Sequence, residues 1–377
     1  MDLRPRRWLA MGVGAVAAGA LFTGAAMATG CTDPGAVLRG PLPRQAAGVP
    51  WGAYLGSGPE GVQRIQRFER WLGRAELKVG HTYLAGHRWS DIEGGDPRIL
   101  RAWARWQHGA AGRLFVLNVP MLERNEEGVS DARVGALLRQ GASGRFDAHF
   151  VTLARHLTGL GLQDTVIVLG WEMNGTTYTG RCAPHPQAWR AYFRSIVTAM
   201  RSVPGQRFRF EFTPSRGRDA IPWTRCYPGD DVVDIVGMDS YDQPPGDDFD
   251  DQVDQPFGLR RHVEFAAAHR KPFSYPEWGL FRNGDNAEYM RRMLAWIAEN
   301  PPEYHTLTDY CPHGVWSCDE NPRASQVLRS VQYSPAGAAP EAAPEHRAER
   351  QGLIPTRWLD ALLGQRRQCP RASRRPC

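Results

Sequence analysis

Two glutamates each follow an apolar, strand-like run and stand beside glycines. The first, Glu172, lies in the segment 170–175 directly after the run 165–169, and the second, Glu277, lies in the segment 275–279. Hydrolysis of a glycosidic bond requires one protonated carboxyl that donates to the leaving oxygen and one ionised carboxyl. The repeated pattern therefore predicts two acids that face each other across one site.

The two glutamates are expected to differ in protonation. Glu172 follows the bulky Trp171, and an apolar wall at that point would raise the pKa of its carboxyl and favour the acid role. Glu277 can accept hydrogen bonds from polar neighbours, which would keep it ionised. A single glutamate at a strand end is more often a salt-bridge partner. Two of them, each in a turn marked by glycine, favour a catalytic pair.

Short β-rich runs alternate with helical segments along the body of the chain. In the segments 61–72, 187–200 and 288–297, apolar residues recur at steps of three and four, which is typical of helices packed on a core. The predicted strands cover residues 51–55, 77–84, 114–119, 165–171, 207–213, 232–241, 272–277 and 304–310.

These alternations favour an α/β fold of the (β/α)8 TIM-barrel type. A doubly wound sheet should carry a glycine-rich phosphate turn after an early strand, and the segment 52–58 is a poor candidate for one. Active-site residues of a barrel lie at the C-terminal ends of its strands. Glu172 is thus expected at the end of the fourth strand and Glu277 at the end of the seventh.

The charge of the chain lies mainly at its two ends. The net charge is +6, and residues 1–30 together with 333–377 account for all of it, so the middle of the chain is neutral. Binding to a phosphate backbone depends on many cationic contacts. We therefore predict no nucleic-acid partner.

The N-terminus has the pattern of an export signal. Three arginines precede the apolar run 8–28. Residues 28–31 resemble a bacterial lipobox, in which Cys31 would carry a lipid anchor, while ordinary cleavage near Ala28 fits equally well. Both alternatives predict a secreted protein or one at the extracellular face of the membrane. The predicted organisation is a signal at 1–30, a linker at 31–48, the barrel at 49–332 and a basic Pro/Ala/Arg-rich tail at 333–377.

Cysteine usage agrees with an oxidising compartment. The chain has seven cysteines, and removing Cys31 leaves six, enough for three bridges. A zinc site would need thiols and histidines together, but the available spacing fits no common finger, so disulfides are preferred. The expected pairs are Cys182 with Cys226, Cys311 with Cys318, and Cys369 with Cys377; the zinc alternative uses His305, Cys311, His313 and Cys318.

Three segments, 171–175, 227–241 and 271–279, resemble glycoside hydrolase family 26, which contains β-mannanases and related endo-β-glycanases. The resemblance extends from about residue 50 to residue 325. It implies a (β/α)8 barrel, retaining chemistry, and neither a metal nor an organic cofactor.

The resemblance also assigns roles to individual residues. It implies that Glu172 is the general acid/base and Glu277 the nucleophile, with Asp239 and Tyr241 at the end of the sixth strand. The Tyr241 hydroxyl would hydrogen-bond the nucleophile. The chain has Trp171 where the family usually has histidine, and an indole can donate one hydrogen bond but cannot relay a proton.

Sugar binding requires aromatic faces that stack on pyranose rings and polar groups that fix hydroxyls. Residues in the loops after the strands are the candidates, with Trp89 and Trp278 foremost. The predicted substrate-binding residues are Trp89, Trp171, Asn174, Tyr178, Asp239, Tyr241, Trp278 and Trp316.

The sequence therefore predicts a monomeric, exported β-glycoside hydrolase that acts on a polysaccharide or oligosaccharide. The alternative is a cell-surface carbohydrate-binding barrel with little or no turnover, because a fold does not guarantee its usual function. Two facing acids favour the hydrolase, since a binding protein does not need them.

Overall fold

The computed structural model describes residues 48–73, 75–243 and 246–331. The predicted signal, Cys31, nearly all of the predicted linker, the basic tail and the Cys369–Cys377 pair lie outside these residues, and those predictions stand as they are.

Nine parallel strands form one sheet in the described part of the chain. Eight of them close into a ring in the order β1-β2-β3-β4-β5-β6-β8-β9, because β6 pairs with β8 and β1 pairs with β9. The (β/α)8 barrel prediction is therefore confirmed. The strands are β1 (Trp51–Tyr54), β2 (Val79–Tyr83), β3 (Leu114–Val119), β4 (Val166–Leu169), β5 (Arg209–Phe212), β6 (Ile235–Gly237), β7 (Ser240–Asp242), β8 (Phe273–Leu280) and β9 (His305–Thr308).

The sixth predicted strand, 232–241, is not continuous. It divides into β6, which pairs with the start of β8, and β7, which pairs with residues 278–280 near the end of β8. The pairing of this segment with β8 shifts by one residue, from Gly237 opposite Ser274 to Ser240 opposite Trp278, in the stretch where β8 also shifts its register against β9. Asp239 lies in the gap, where its backbone N–H donates to the Pro214 carbonyl.

Helices surround the ring, and Asp96 and Asn286 cap two of them by accepting backbone N–H groups. The three predicted helical segments correspond to α1, α6 and α9. None of the helices described is long and apolar enough to cross a membrane. The helices are α1 (Pro59–Trp71), α2 (Trp89–Ile92), α3 (Pro97–His108), α4 (Asp131–Ala142), α5 (Asp147–Gly159), α6 (Pro186–Arg201), α7 (Phe249–Asp254), α8 (Leu259–Ala268), α9 (Ala287–Glu299) and α10 (Pro322–Ser330).

The inside of the ring is a packed core. Because successive side chains of a strand point to opposite faces, alternate residues fill the interior, and most of these are β-branched. This inner cluster is separate from the larger one between strands and helices, and Trp171 belongs to it near the C-terminal ends of the strands. Its other buried members are Val79, Val116, Val166, Val168, Ile235 and Tyr304.

Two disulfides join loops of the barrel. Cys182 is bonded to Cys226 and Cys311 to Cys318, as predicted. Because Cys311 and Cys318 are bonded to each other, neither can act as the thiolate ligand that the zinc alternative required.

Candidate active site

A left-handed turn carries Glu172 to the mouth of the barrel. The strand β4 ends at Leu169, two residues earlier than predicted, and both Gly170 (φ +61°) and Glu172 (φ +49°) have positive φ. The Glu172 backbone N–H donates to the Thr213 carbonyl at 2.8 Å, which ties the turn to the end of β5. Positive φ is uncommon for a residue with a side chain, and such strain concentrates at functional sites.

The environment of Glu172 favours its protonated form. Burial first, then the charges of Glu277 and Asp219, raise the pKa of its carboxyl to about 7, while Ser215 and Tyr178, within hydrogen-bonding reach, oppose the rise. Since the ordinary pKa of a glutamate is 4.5, Glu172 keeps its proton through the mildly acidic range. It can therefore donate a proton to a leaving oxygen.

Glu277 lies within β8 and is only 7% exposed. Asn118 donates from Nδ2 to its Oε1 at 2.9 Å, and the Tyr241 hydroxyl donates to its Oε2 at 2.7 Å. Burial raises the pKa of Glu277, and hydrogen bonds from Tyr241, Tyr83 and Asn118 lower it again. These donors favour the ionised form, so Glu277 loses its proton before Glu172, whose pKa its charge then raises.

The donors to Glu277 are themselves oriented. Asn118 uses its amide N–H on Glu277, so its Oδ1 must accept from His81 Nε2, 2.8 Å away. Burial lowers the pKa of His81 to about 4, so the ring is neutral and carries its proton on that nitrogen. The Tyr241 hydroxyl has one proton, which goes to Glu277, and Thr308 Oγ1 at 2.7 Å therefore donates to the Tyr241 oxygen.

Asp239 is a third carboxyl of this site. It is 2% exposed, and neither of its oxygens has a hydrogen-bond partner in the described part of the protein. Burial first, then the charges of Glu277 and Glu172, raise its pKa well above the usual range. The site therefore favours the protonated form of Asp239, and its two oxygens are free to bind a hydroxyl group.

A fourth acid, Glu211 on β5, was not predicted. It is fully buried and accepts hydrogen bonds from the Thr213 hydroxyl at 2.9 Å and the Tyr304 hydroxyl at 2.7 Å. Burial raises its pKa to about 7. Its inward position was detectable in principle, because Phe210 and Phe212 on either side of it belong to the outer apolar face of β5.

Five aromatic rings form a continuous row beside the acids. Their centroids are 6.1 Å apart from Tyr310 to Tyr54, 4.6 Å from Tyr54 to Tyr83, 5.7 Å from Tyr83 to Trp171 and 4.9 Å from Trp171 to Tyr178. We call this row the aromatic arc. Tyr310 is 43% exposed, more than any other large hydrophobic residue of the described chain. Tyr54, Tyr83 and Tyr310 were not among the predicted substrate-binding residues. In the structure, Tyr54 is the last residue of β1 and Tyr83 is the last residue of β2.

Trp89 and Trp278, the foremost candidates for stacking on a sugar, pack against other side chains of the protein. Trp89 stacks on His149 with centroids 4.3 Å apart and also lies against Phe146 at 4.7 Å. Trp278 is completely buried and donates from Nε1 to His305 Nδ1 at 3.1 Å. Neither ring offers a free face to a sugar in this structure, which departs from the prediction.

Two other predicted residues support loops. Trp316 packs edge-on against Phe68 at 5.5 Å and lies under the guanidinium of Arg64 at 5.1 Å. Asn174 is buried, and its amide both donates to the Ser215 carbonyl at 3.0 Å and accepts from the Ser215 N–H at 2.9 Å. Asn174 thus fixes the loop that brings Ser215 to Glu172, and its side chain is used within the protein.

One group of potential metal ligands occurs among the described residues, formed by Cys311, Cys318 and Glu320. Its two sulfurs form the disulfide, so the group offers no thiolate pair. The Glu277 carboxyl at the barrel mouth accepts hydrogen bonds from the Asn118 amide and the Tyr241 phenol. Such donors suit proton transfer and the binding of sugar hydroxyls.

Comparisons with known proteins agree with the geometry. Residues 165–277 match the family model for Glycosyl hydrolase family 26. The structure of Bacillus subtilis mannanase man26 is similar with a TM-score of 0.56 at 17% identity, covering 74% of this chain and 84% of that chain.

Two further solved structures show the same fold. A GH26 β-mannanase from Bacteroides ovatus has a TM-score of 0.51 at 15% identity, covering 83% of this chain and 96% of that chain. The catalytic domain of a Bacillus sp. JAMB-750 endo-beta-1,4-mannanase has a TM-score of 0.51 at 18% identity, covering 70% of this chain and 77% of that chain. A comparison with curated proteins found no match.

Proposed function

We propose that this chain, whose residues 165–277 match the family model for Glycosyl hydrolase family 26, is a member of that family and hydrolyses β-glycosidic bonds with retention of configuration. Glu172 acts as the general acid/base and Glu277 as the nucleophile. The observation that supports this most directly is the unequal pair of acids at the barrel mouth. Glu172 has a pKa raised to about 7, while three hydrogen-bond donors favour the ionised form of Glu277.

In the first step, Glu277 attacks the anomeric carbon while Glu172 protonates the departing glycosidic oxygen. The bond from carbon to the leaving sugar breaks, and a glycosyl ester of Glu277 forms. Tyr241 and Asn118 hold the two Glu277 oxygens at 2.7 and 2.9 Å, which fixes the direction of the attack.

In the second step, Glu172 has lost its proton and acts as a base toward water. The water attacks the anomeric carbon, the ester to Glu277 breaks, and the proton returns to Glu172. Once Glu277 is esterified, its negative charge no longer raises the pKa of Glu172. The lower pKa allows the same residue to be deprotonated in this step.

We propose an endo-β-glycanase resembling β-mannanases, acting on a polysaccharide or oligosaccharide as a monomer. The structurally similar mannanases support this class of substrate. The exposed end of the aromatic arc supports it as well, because the ring of Tyr310 is available to stack on a sugar. Asp239, with its two unpartnered oxygens, is suited to bind a sugar hydroxyl.

The test combines two carboxyl variants with a panel of β-mannans, β-xylans and β-glucans. We expect Glu277→Gln and Glu172→Gln each to lower kcat by at least about a thousandfold on the substrate that the wild-type protein cleaves. On an aryl β-glycoside whose leaving group departs without a proton, azide should partly restore Glu172→Gln, because a small anion can attack the glycosyl ester without a base. The surface variant Glu299→Gln, at the end of α9, is the matched control.

Proton NMR of the first product distinguishes retention from inversion. An α-anomer released first from a β-linked chain would overturn the retaining mechanism. A folded wild-type protein that binds a β-glycan but cleaves nothing in the panel would support the carbohydrate-binding alternative. Undiminished hydrolysis by both variants would contradict the assignment of the two acids.

We further propose that the protein is exported, either secreted or anchored at the extracellular face through Cys31. The two disulfides support an oxidising compartment, as does the apolar run 8–28 behind three arginines. Mass spectrometry of the mature N-terminus, with Cys31→Ser for comparison, distinguishes a lipidated cysteine from ordinary cleavage. Retention of the intact N-terminus in the cytoplasm would contradict export.

A further inference from the structure

Each oxygen of Glu277 is held by a donor that itself accepts a hydrogen bond from a further residue. Asn118 Nδ2 donates to Oε1 at 2.9 Å, and the Asn118 oxygen accepts from His81 Nε2 at 2.8 Å. The Tyr241 hydroxyl donates to Oε2 at 2.7 Å and accepts from Thr308 Oγ1 at 2.7 Å. We call His81 and Thr308 the outer donors, because they act on the carboxyl through another side chain.

The outer donors have little freedom to move. His81 lies on β2, is completely buried, and stacks on Tyr83 with ring centroids 5.0 Å apart. Thr308 is the last residue of β9 and is 2% exposed. Asn118 and Tyr241 lie on β3 and β7, so the two hydrogen-bonded paths to Glu277 come from four different strands. Side chains on packed strands keep a site geometry better than side chains on loops.

The direction of both paths follows from the ionised state of Glu277. A carboxylate can only accept, so Asn118 must turn its NH2 group to Glu277 and its oxygen to His81. A hydroxyl has one proton, so Tyr241, which donates to Glu277, must accept from Thr308. A group that already accepts a hydrogen bond is a stronger donor, because successive hydrogen bonds polarise one another. Both outer donors therefore strengthen the contacts to Glu277.

We infer that His81 and Thr308 are positioning residues for the nucleophile, each of which orients the donor to one oxygen of Glu277. The inference rests on the proposed role of Glu277. In the first step the two paths keep the carboxylate ionised and fix its direction of attack. In the second step the glycosyl ester breaks and Glu277 regains its negative charge, which the same donors stabilise.

The first test removes the Thr308 hydroxyl and keeps the shape of the side chain. On the substrate that the wild type cleaves, we expect Thr308→Val to lower kcat/KM by about 3- to 10-fold, the range for one hydrogen bond. The weaker Tyr241 contact should also make Glu277 harder to ionise. The acid limb of the pH profile, where Glu277 gains its proton, should therefore move to higher pH by about half a unit.

Thr306→Val is the matched control. Thr306 lies two residues before Thr308 and thus on the same face of β9, and it is completely buried. Its hydroxyl has no hydrogen-bond partner among the described residues. The acid limb of Thr306→Val should coincide with that of the wild type. An acid limb that stays in place in Thr308→Val, or moves equally in both variants, would overturn the role of Thr308.

The other titratable groups around Glu277 are the same in both threonine variants. Its charge acts on the acids Glu172 and Asp239 and on the phenols of Tyr54, Tyr83, Tyr178 and Tyr310. Burial raises the pKa of each phenol, so these groups stay neutral across the acid limb. The difference between the two variants therefore isolates the outer donor.

The second test compares two replacements of His81. His81→Phe keeps a ring that can stack on Tyr83 but cannot donate, whereas His81→Gln can place an amide N–H near the position of Nε2. We expect His81→Phe to lower kcat/KM by about 3- to 10-fold and His81→Gln to recover most of that loss. Equal losses in the two variants would overturn the role of His81.

A second buried histidine provides the control for packing. His262 is completely buried and donates from Nε2 to the Val236 carbonyl at 2.9 Å, a contact that involves no carboxyl. His262→Phe should leave kcat/KM of the folded protein at the wild-type value. A loss as large as that of His81→Phe would attribute both losses to packing and would overturn the inference for His81.

The third test does not depend on catalysis. In protein labelled with 15N at histidine, the His81 signals are assigned by their absence in His81→Gln, and their shifts show which ring nitrogen carries the proton. We expect a neutral ring with the proton on Nε2 at neutral pH, because burial lowers the pKa of His81 to about 4. A proton on Nδ1 would turn the Asn118 oxygen toward Glu277 and would overturn this path. If the wild-type protein cleaves no glycan, the proposed function fails while this measurement still decides the orientation of the path.

Discussion

At the scale of single residues, burial and neighbouring groups together control the charge on each acid. Burial first, and then the charges of Glu277 and Asp219, raise the pKa of Glu172. Burial also raises the pKa of Glu277, but three hydrogen-bond donors oppose that rise. The same kind of side chain can therefore hold a proton at one position and release it at the other, because only the surroundings differ.

This arrangement predicts the alkaline limb of the activity profile. Because the pKa of Glu172 is raised to about 7, activity should fall as pH rises through that value and the acid loses its proton. Asp219→Asn removes a negative charge that raises the pKa of Glu172, so the alkaline limb of this variant's activity profile should move to lower pH. The measurement is kcat/KM against pH.

Asp231→Asn is the control for this comparison. Asp231 is paired with Arg194 at 2.7 Å on the outer surface and does not act on Glu172. Its profile should coincide with that of the wild type. A limb that moves to higher pH in Asp219→Asn would contradict the electrostatic account of Glu172.

At the scale of elements, the turn after β4 determines where Glu172 stands. Gly170 has φ +61°, and a Cβ at this position would lie 2.6 Å from the sulfur of the buried Met121. Gly205 has φ +81° but open space around it, so it is a matched control for the backbone conformation alone. We expect Gly205→Ala to cost about 1–2 kcal/mol of stability from the left-handed backbone.

Gly170→Ala should cost about 1–3 kcal/mol more than Gly205→Ala, because it adds crowding against Met121. It should also lower kcat, since Glu172 follows two residues later and must move with the turn. Denaturant unfolding and kinetics on the same samples test both effects. Equal stability losses in the two variants would show that Met121 moves aside and that the turn is not crowded.

The elements also show how far the sequence could predict this molecule. The alternation of strands and helices, the two glutamates and the Cys182 and Cys226 pair follow from local patterns. The break between β6 and β7 does not, because it depends on the register shift of β8. Whether Trp278 is free or buried likewise depends on its contact with His305, which is distant in sequence.

At the scale of the whole molecule, the barrel buries four carboxyl groups in surroundings that disfavour their charged forms. Glu172, Glu277, Asp239 and Glu211 all have raised pKa values, with burial as the first cause in each. None of these four carboxyls forms a salt bridge within the described residues. The folded protein therefore holds protons that the unfolded chain releases.

The sign of the pH dependence of stability follows from that difference. Between the ordinary pKa of a glutamate, 4.5, and the raised value of about 7 for Glu211, this carboxyl holds a proton in the native state that it releases in the unfolded state. Its contribution to the free energy of unfolding should therefore fall as pH rises through this window, by up to about 1.4 kcal/mol per pH unit. Buried neutral histidines such as His81 and His262, whose pKa burial lowers to about 4, contribute with the opposite sign below pH 6.5, so the contribution of Glu211 has to be measured against the wild type.

Glu211→Gln isolates one contribution. The amide cannot ionise, and it can still accept a hydrogen bond from Tyr304 or Thr213, so the variant loses the contribution of Glu211, and its stability relative to the wild type should increase from pH 5 to pH 7. Urea unfolding at pH 5, 6 and 7 measures the slopes, with the solvent-exposed Glu299→Gln as the control that keeps the wild-type slope. An unchanged slope in Glu211→Gln would mean that Glu211 is ionised in the folded barrel. The Thr213 and Tyr304 hydroxyls would then be sufficient to stabilise a buried carboxylate.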